Sequence, residues 1–130
     1  MTESTERRGF SPVVREHVVY PKNLGPLGKH NGHARILGPC GDTMEYWVLV
    51  RGGIVEQVAF LTDGCGSSVA CGSMTTVLAK GKSVAAATAL EQKDVLDALG
   101  GVPKEAEHCA LLAVHTLRAA CADWAGRARK

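Results

Sequence analysis

Hydrophobic and polar positions alternate from Thr43 to Arg51, placing Met44, Tyr46, Val48 and Val50 on one side of an extended chain. This period of two predicts a strand with one face toward a core. Gly52-Gly53 supplies a hairpin turn, and Ile54 to Thr62 reads as the returning strand. A shorter, weaker run over His33 to Leu37 precedes them, so the pattern predicts a three-stranded antiparallel meander. Upstream, Ser11-Pro12 carries a helix start, with Ser as N-cap and Pro at the first helical position; that helix stops before Pro21. Pro21 to Gly32 is rich in Gly, Pro and Asn and reads as a loop.

After Thr62 the period lengthens. Ala70, Met74, Val77 and Leu78 share one helix face, and Gly81 stands where that helix ends. Ser83 can cap a short alanine-rich helix, and Asp94 to Leu99 predicts another turn or two before Gly100-Gly101. From His108 to Arg127 a long helix carries the stripe Ala110, Ala113, Val114, Leu117, Cys121 and Trp124. Strands first and helices afterwards predict an α+β fold, a small antiparallel three-stranded sheet with helices packed on one face. The expected organisation is one domain over residues 1–130, with 1–10 flexible.

Composition narrows the function. Hydrophobic residues make up 45% of the chain, but there are only two Phe, two Tyr and two Trp, so aliphatic side chains and alanine must fill the core. The net charge of +2 comes without a long basic run, which argues against a nucleic-acid partner. His115, Arg118 and Asp123 interrupt the apolar C-terminal quarter, so no membrane span is expected. The N-terminus lacks the apolar stretch of a signal peptide, and the expected location is cytoplasmic. Five cysteines in such a chain read as ligands, nucleophiles or core residues rather than disulfides.

Three of them sit at junctions between elements. Cys40 lies in Gly38-Pro39-Cys40-Gly41-Asp42, Cys65 in Asp63-Gly64-Cys65-Gly66-Ser67, and Cys109 follows His108 at the start of the last helix. Side chains from distant stretches can converge at such junctions without disturbing the core. Cys65 and Cys109 lie near predicted helix N-termini, where free amides and the helix dipole favour a thiolate. Together with His108 and Asp42 the set offers soft sulfur donors, an imidazole and a carboxylate, a combination that selects zinc, copper(I) or iron–sulfur clusters. An enzyme would also need a positioned general base, and Asp42 is the one candidate; the reading is a scaffold rather than an enzyme. Cys71 and Cys121 fall on apolar helix faces and are expected in the core. His30 and His33 are expected to be solvated loop residues, His17 a surface or packing histidine and His115 solvent-exposed, with Asp63 supporting its loop.

With these residues identified, the chain resembles the IscU/NifU-type iron–sulfur cluster assembly scaffolds, the NifU N-terminal domain family. His17 with Tyr20-Pro21-Lys22-Asn23-Leu24-Gly25 looks like that family's His-x-x-x-Pro-Arg-Asn-x-Gly segment. Pro39-Cys40-Gly41-Asp42 is similar to its first ligand motif. Asp63-Gly64-Cys65-Gly66-Ser67, leading to Lys80-Gly81-Lys82-Ser83, resembles the second, and Gly100-Gly101-Val102-Pro103 leading into His108-Cys109-Ala110-Leu111-Leu112-Ala113 the third. The resemblance implies that Cys40, Cys65 and Cys109 bind a [2Fe–2S] cluster, with His108 or Asp42 as the fourth ligand and the weak carboxylate keeping the cluster transferable. It implies Cys109 as acceptor of persulfide sulfur from a cysteine desulfurase, apo iron–sulfur proteins as recipients, and a monomer or cluster-bridged dimer. It also implies zinc in the same pocket, which leaves a zinc-bound protein that relays sulfur without building a cluster as the alternative. Two departures stand out. Pro103-Lys104-Glu105-Ala106-Glu107 lacks the second proline and the late lysine of the chaperone-recognition segment, which argues against a dedicated Hsp70-type partner, and Cys71 stands where relatives commonly carry serine.

Overall fold

The computed structural model describes residues 10–39 and 41–128. Helix α1 spans Pro12–Val19, and Ser11 caps it as expected, its hydroxyl accepting the Val14 amide at 3.1 Å. The same hydroxyl donates to the Leu99 carbonyl, tying the helix start to a distant part of the chain. The sheet follows as β1 (Gly32–Leu37), β2 (Thr43–Arg51) and β3 (Ile54–Thr62), antiparallel in the order β1-β2-β3. Then come α2 (Gly66–Ala79), α3 (Val84–Thr88), α4 (Gln92–Leu99), a 3-10 turn at Lys104–Ala106 and α5 (His108–Ala128).

Met44, Tyr46 and Val48 are fully buried, so the predicted face of β2 is the core face. Tyr46 lies opposite Ala34 on one side and Phe60 on the other. The register slips by one between Leu49 and Val50, where two residues of β3 oppose one of β2. That extra residue lets Val55 and Val58, which strict alternation would send to opposite faces, both reach the interior. Helix α5 lies across β1 and β2, while α2 lies across β3 and against α5. The stripe on α5 is buried from Ala110 to Cys121, with Trp124 half-buried at its end.

Close approach of α2 to the sheet depends on a missing side chain. A Cβ at Gly72 would meet the Phe60 ring at 2.5 Å, and the Gly72 carbonyl instead accepts the buried Tyr46 hydroxyl at 2.9 Å. Burial pushes the Tyr46 phenol far above its ordinary range, so it stays a neutral donor. The outer edge of β3 is covered twice. Phe60 exchanges backbone hydrogen bonds with Asn23 and Gly25, and Val55 does so with Gly81 and Lys82.

The expected elements hold, with three local differences. The helix expected at Asp94 begins at Gln92, because Glu91 and Asp94 form a reciprocal capping box; Asp94 accepts the Glu91 amide at 2.9 Å. Val77 lies on the outer side of α2 rather than on its buried face. His30 and His33 are half-buried rather than solvated: His33 packs on the Trp47 ring and pairs with Glu45 at 2.6 Å. Among the described residues no helix is long and apolar enough to cross a membrane.

Candidate functional site

The loop between β1 and β2, the loop between β3 and α2, and the start of α5 meet at one end of the sheet. Short hydrogen bonds stitch the first two together. Asp63 accepts the Thr43 amide at 2.8 Å, Thr62 donates its hydroxyl to the Thr43 carbonyl at 2.6 Å, and the Gly64 amide donates to that same hydroxyl oxygen at 3.1 Å. The Thr43 amide and hydroxyl, with Arg35 nearby, hold the Asp63 carboxyl below its usual range. Asp63 therefore supports the loop, as its position beside the second cysteine motif led us to expect. The first loop closes on itself where the Gly38 amide donates to the Asp42 carbonyl at 2.7 Å, and Gly41 takes the left-handed backbone such a tight return needs.

Cys65 is the N-cap of α2. Its side chain makes no capping bond and is exposed, so the sulfur stands at the positive end of the helix. Cys109 occupies the first turn of α5 and is buried. His108, beside it and half-buried, brings its Nε2 to 3.8 Å from the Cys109 sulfur. Ser68, in the first turn of α2, lies 3.4 Å from that sulfur and donates its hydroxyl to Asp42 Oδ2 at 3.2 Å. Asp42, Ser68, Cys109 and His108 thus form one continuous polar string across three elements.

Cys71 lies beneath this string, fully buried. Burial pushes its thiol far up, and the nearby Cys109 and Cys65 push it further. Cys121 is also a core residue, with burial pushing its thiol up to about 11. His115 is exposed on α5, as expected. His17 is a packing residue: it is buried, and its Nδ1 lies 2.6 Å from the Ser73 hydroxyl, which also accepts the Lys22 amide at 2.8 Å.

Of the five candidate ligands, Asp42, His108 and Cys109 are joined through Ser68, and Cys65 follows Gly64, which packs against Ser68 and Asp42; Cys40 lies outside the described residues. Among the described residues, no three His, Cys, Asp or Glu side chains are drawn together tightly enough to hold a metal ion. Sequence reasoning missed Ser68 and the close packing of Gly64. The signal for Ser68 was present: three positions after Cys65 in a helix, a side chain returns to the same face.

Comparison with known proteins follows the same lines. The family model for the NifU-like N terminal domain matches residues 10–130. An Archaeoglobus fulgidus protein named iron-sulfur cluster assembly scaffold protein IscU 1 is 36% identical over 116 residues, covering 88% of this chain and 76% of the relative. The Escherichia coli protein named iron-sulfur cluster assembly scaffold protein IscU is 35% identical over 120 residues, covering 88% and 93%. In three dimensions the fold superposes on the N-terminal part of a nitrogen-fixing NifU-like protein from Brucella abortus with a TM-score of 0.72. That likeness covers 95% of this chain and 99% of the other at 17% identity. The chain is a member of the NifU-like N-terminal domain family.

Proposed function

We propose that this single-domain chain is a carrier, not a catalyst, on which iron and persulfide sulfur are assembled into a labile [2Fe–2S] cluster for delivery to apo-proteins. The observation that carries the proposal is the polar string from Asp42 through Ser68 to Cys109 and His108, with Gly64, the neighbour of Cys65, packed against it. Thiolate, imidazole and carboxylate are the donors that iron–sulfur and zinc chemistry require. Cys40, Cys65 and Cys109 supply sulfur, and His108 or Asp42 supplies the fourth bond. The relatives' names point to the same function.

Sulfur enters at Cys109. Its thiolate attacks the outer sulfur of a cysteine desulfurase's persulfide; a new S–S bond forms on Cys109, and the desulfurase cysteine leaves as a thiolate. Release as sulfide then takes two electrons from an external reductant. The chemistry suits a reducing cytoplasm, where the cysteines remain thiols. The segment before His108 gives no reason to include an Hsp70-type chaperone among the partners.

Anaerobic incubation with ferrous iron, cysteine, a desulfurase and a thiol reductant tests the proposal. The expected result is a coloured protein with sulfur-to-iron charge-transfer bands, holding two irons and two sulfides. Colourless protein that retains zinc while accepting sulfur would overturn cluster building in favour of sulfur relay. Cys109→Ser should abolish persulfide labelling; undiminished labelling moves the acceptor role to Cys40 or Cys65.

A further inference from the structure

Ser68 is 1% exposed, yet its hydroxyl faces neither the helix backbone nor water. It lies between the two candidate ligands that come from different elements, 3.2 Å from Asp42 Oδ2 and 3.4 Å from the Cys109 sulfur. A hydroxyl in a helix can bond to the backbone a turn earlier, as those of Thr75 and Thr116 do in this fold. Ser68 is instead spent on a side chain from a separate loop.

The loop backbone confirms how tightly the arrangement is enclosed. A Cβ on Gly64 would fall 2.4 Å from Ser68 Oγ and 2.7 Å from Asp42 Oδ2. Only a glycine lets the second cysteine loop lie directly against the hydroxyl–carboxylate pair. Asp42 Oδ2 is thereby held against Ser68 and the Gly64 backbone. Hydrogen bonds to a liganding carboxylate set its direction and its donor strength.

We propose that Ser68 is a positioning residue for the site: its hydroxyl aims Asp42 at the ion and restricts it to a single-oxygen bond beside Cys109. The proposal rests on the reading of Asp42 and Cys109 as ligands. The stronger arm is the bond to the carboxylate, because a charged acceptor makes the stronger hydrogen bond. Ser68 therefore acts mainly through Asp42.

Zinc alone, added anaerobically to the full chain in competition with a chromophoric chelator, provides the test. Ser68→Ala should weaken zinc binding about tenfold, the effect typical of losing a carboxylate's supporting partner. In an Asp42→Ala background the same change should alter affinity by less than about twofold, because the group it acts through is gone. An unchanged affinity in Ser68→Ala overturns the proposal. So does an equal loss in both backgrounds, which would mean that Ser68 supports the helix and not the ligand. Thermal unfolding of each variant monitors the fold itself. Cys109→Ser distinguishes the layers: zinc affinity unmoved by that change would sink the metal site, whereas a strong loss there with an inert Ser68→Ala sinks only the positioning role.

Discussion

Helix α2 is packed closely at both its beginning and its middle, but against different chemistry. Beside its first turn, Gly64 brings backbone against a hydroxyl and a carboxylate. At its middle, Gly72 brings backbone against the Phe60 ring and the Met44 sulfur. The same missing side chain serves positioning in one place and cohesion in the other. Cohesion is continuous around Gly72, where Cys71, Met44, Tyr46 and Phe60 are all buried. Around Gly64 the burial is mixed: Ser68 is enclosed, Asp42 half-buried and Cys65 open. The region we propose as the cargo site is held by polar bonds that can be remade, and the region beneath it by packing that cannot be remade piecemeal.

The contrast can be broken by substitution. Gly72→Val should cost about 3 kcal/mol of stability, measured by urea unfolding, because the added carbons collide with a ring that has nowhere to move. Zinc affinity of the protein that remains folded should be unchanged. Thiol reactivity separates the regions next. Iodoacetamide should modify the exposed Cys65 readily, while Cys121, its thiol pushed up to about 11 by burial, should carry a thiolate fraction about a hundredfold below that of an ordinary thiol and react mainly after unfolding. Mass-spectrometric time courses with and without urea measure both rates.

Gly64→Ala is the converse of Gly72→Val. Its stability cost should be about 1 kcal/mol or less, since the loop can shift outward, while zinc affinity should drop about tenfold as Asp42 and Ser68 are pushed apart. A large stability loss with intact zinc binding would merge the two regions into one. The smallest effect concerns α1. Burial, then the nearby Lys22, pull the His17 imidazole below its ordinary value, with Glu16 opposing them. A folded-state value below the unfolded one means that the unfolded chain takes up the proton first. His17 therefore contributes stability in full above the ordinary value near pH 6.5, and loses it as pH falls through the lower folded value. Urea midpoints between pH 7.5 and 5 should fall more steeply for the wild-type chain than for His17→Gln.

Much of this could be read from the chain because local signals and tertiary demands agree. Alternation in Thr43 to Arg51, the Gly52-Gly53 turn and the Ser11-Pro12 start each specify a structure within a few residues. What escaped reading is set by partners far away in sequence. The bulge in β3 depends on which valines the helices can accept, and His33 is drawn under cover by Trp47 and Glu45 across the sheet. The three junction cysteines and their His and Asp neighbours were legible as types and spacings. The hydroxyl joining Asp42 to Cys109 was legible only in part: its spacing from Cys65 puts Ser68 on that cysteine's side of the helix, but nothing in the serine marks the loop it will meet.

The doubly covered edge of β3 has a consequence for how this chain fails. Ile54 to Thr62 is rich in β-branched and aromatic residues, the kind of segment that stacks with copies of itself when its backbone is bare. With Asn23 to Gly25 seated along one stretch and Gly81 to Lys82 along another, incoming chains find those rungs already taken. Clumping on heating or storage should therefore begin with the peeling away of these two short guards, well before the helices melt.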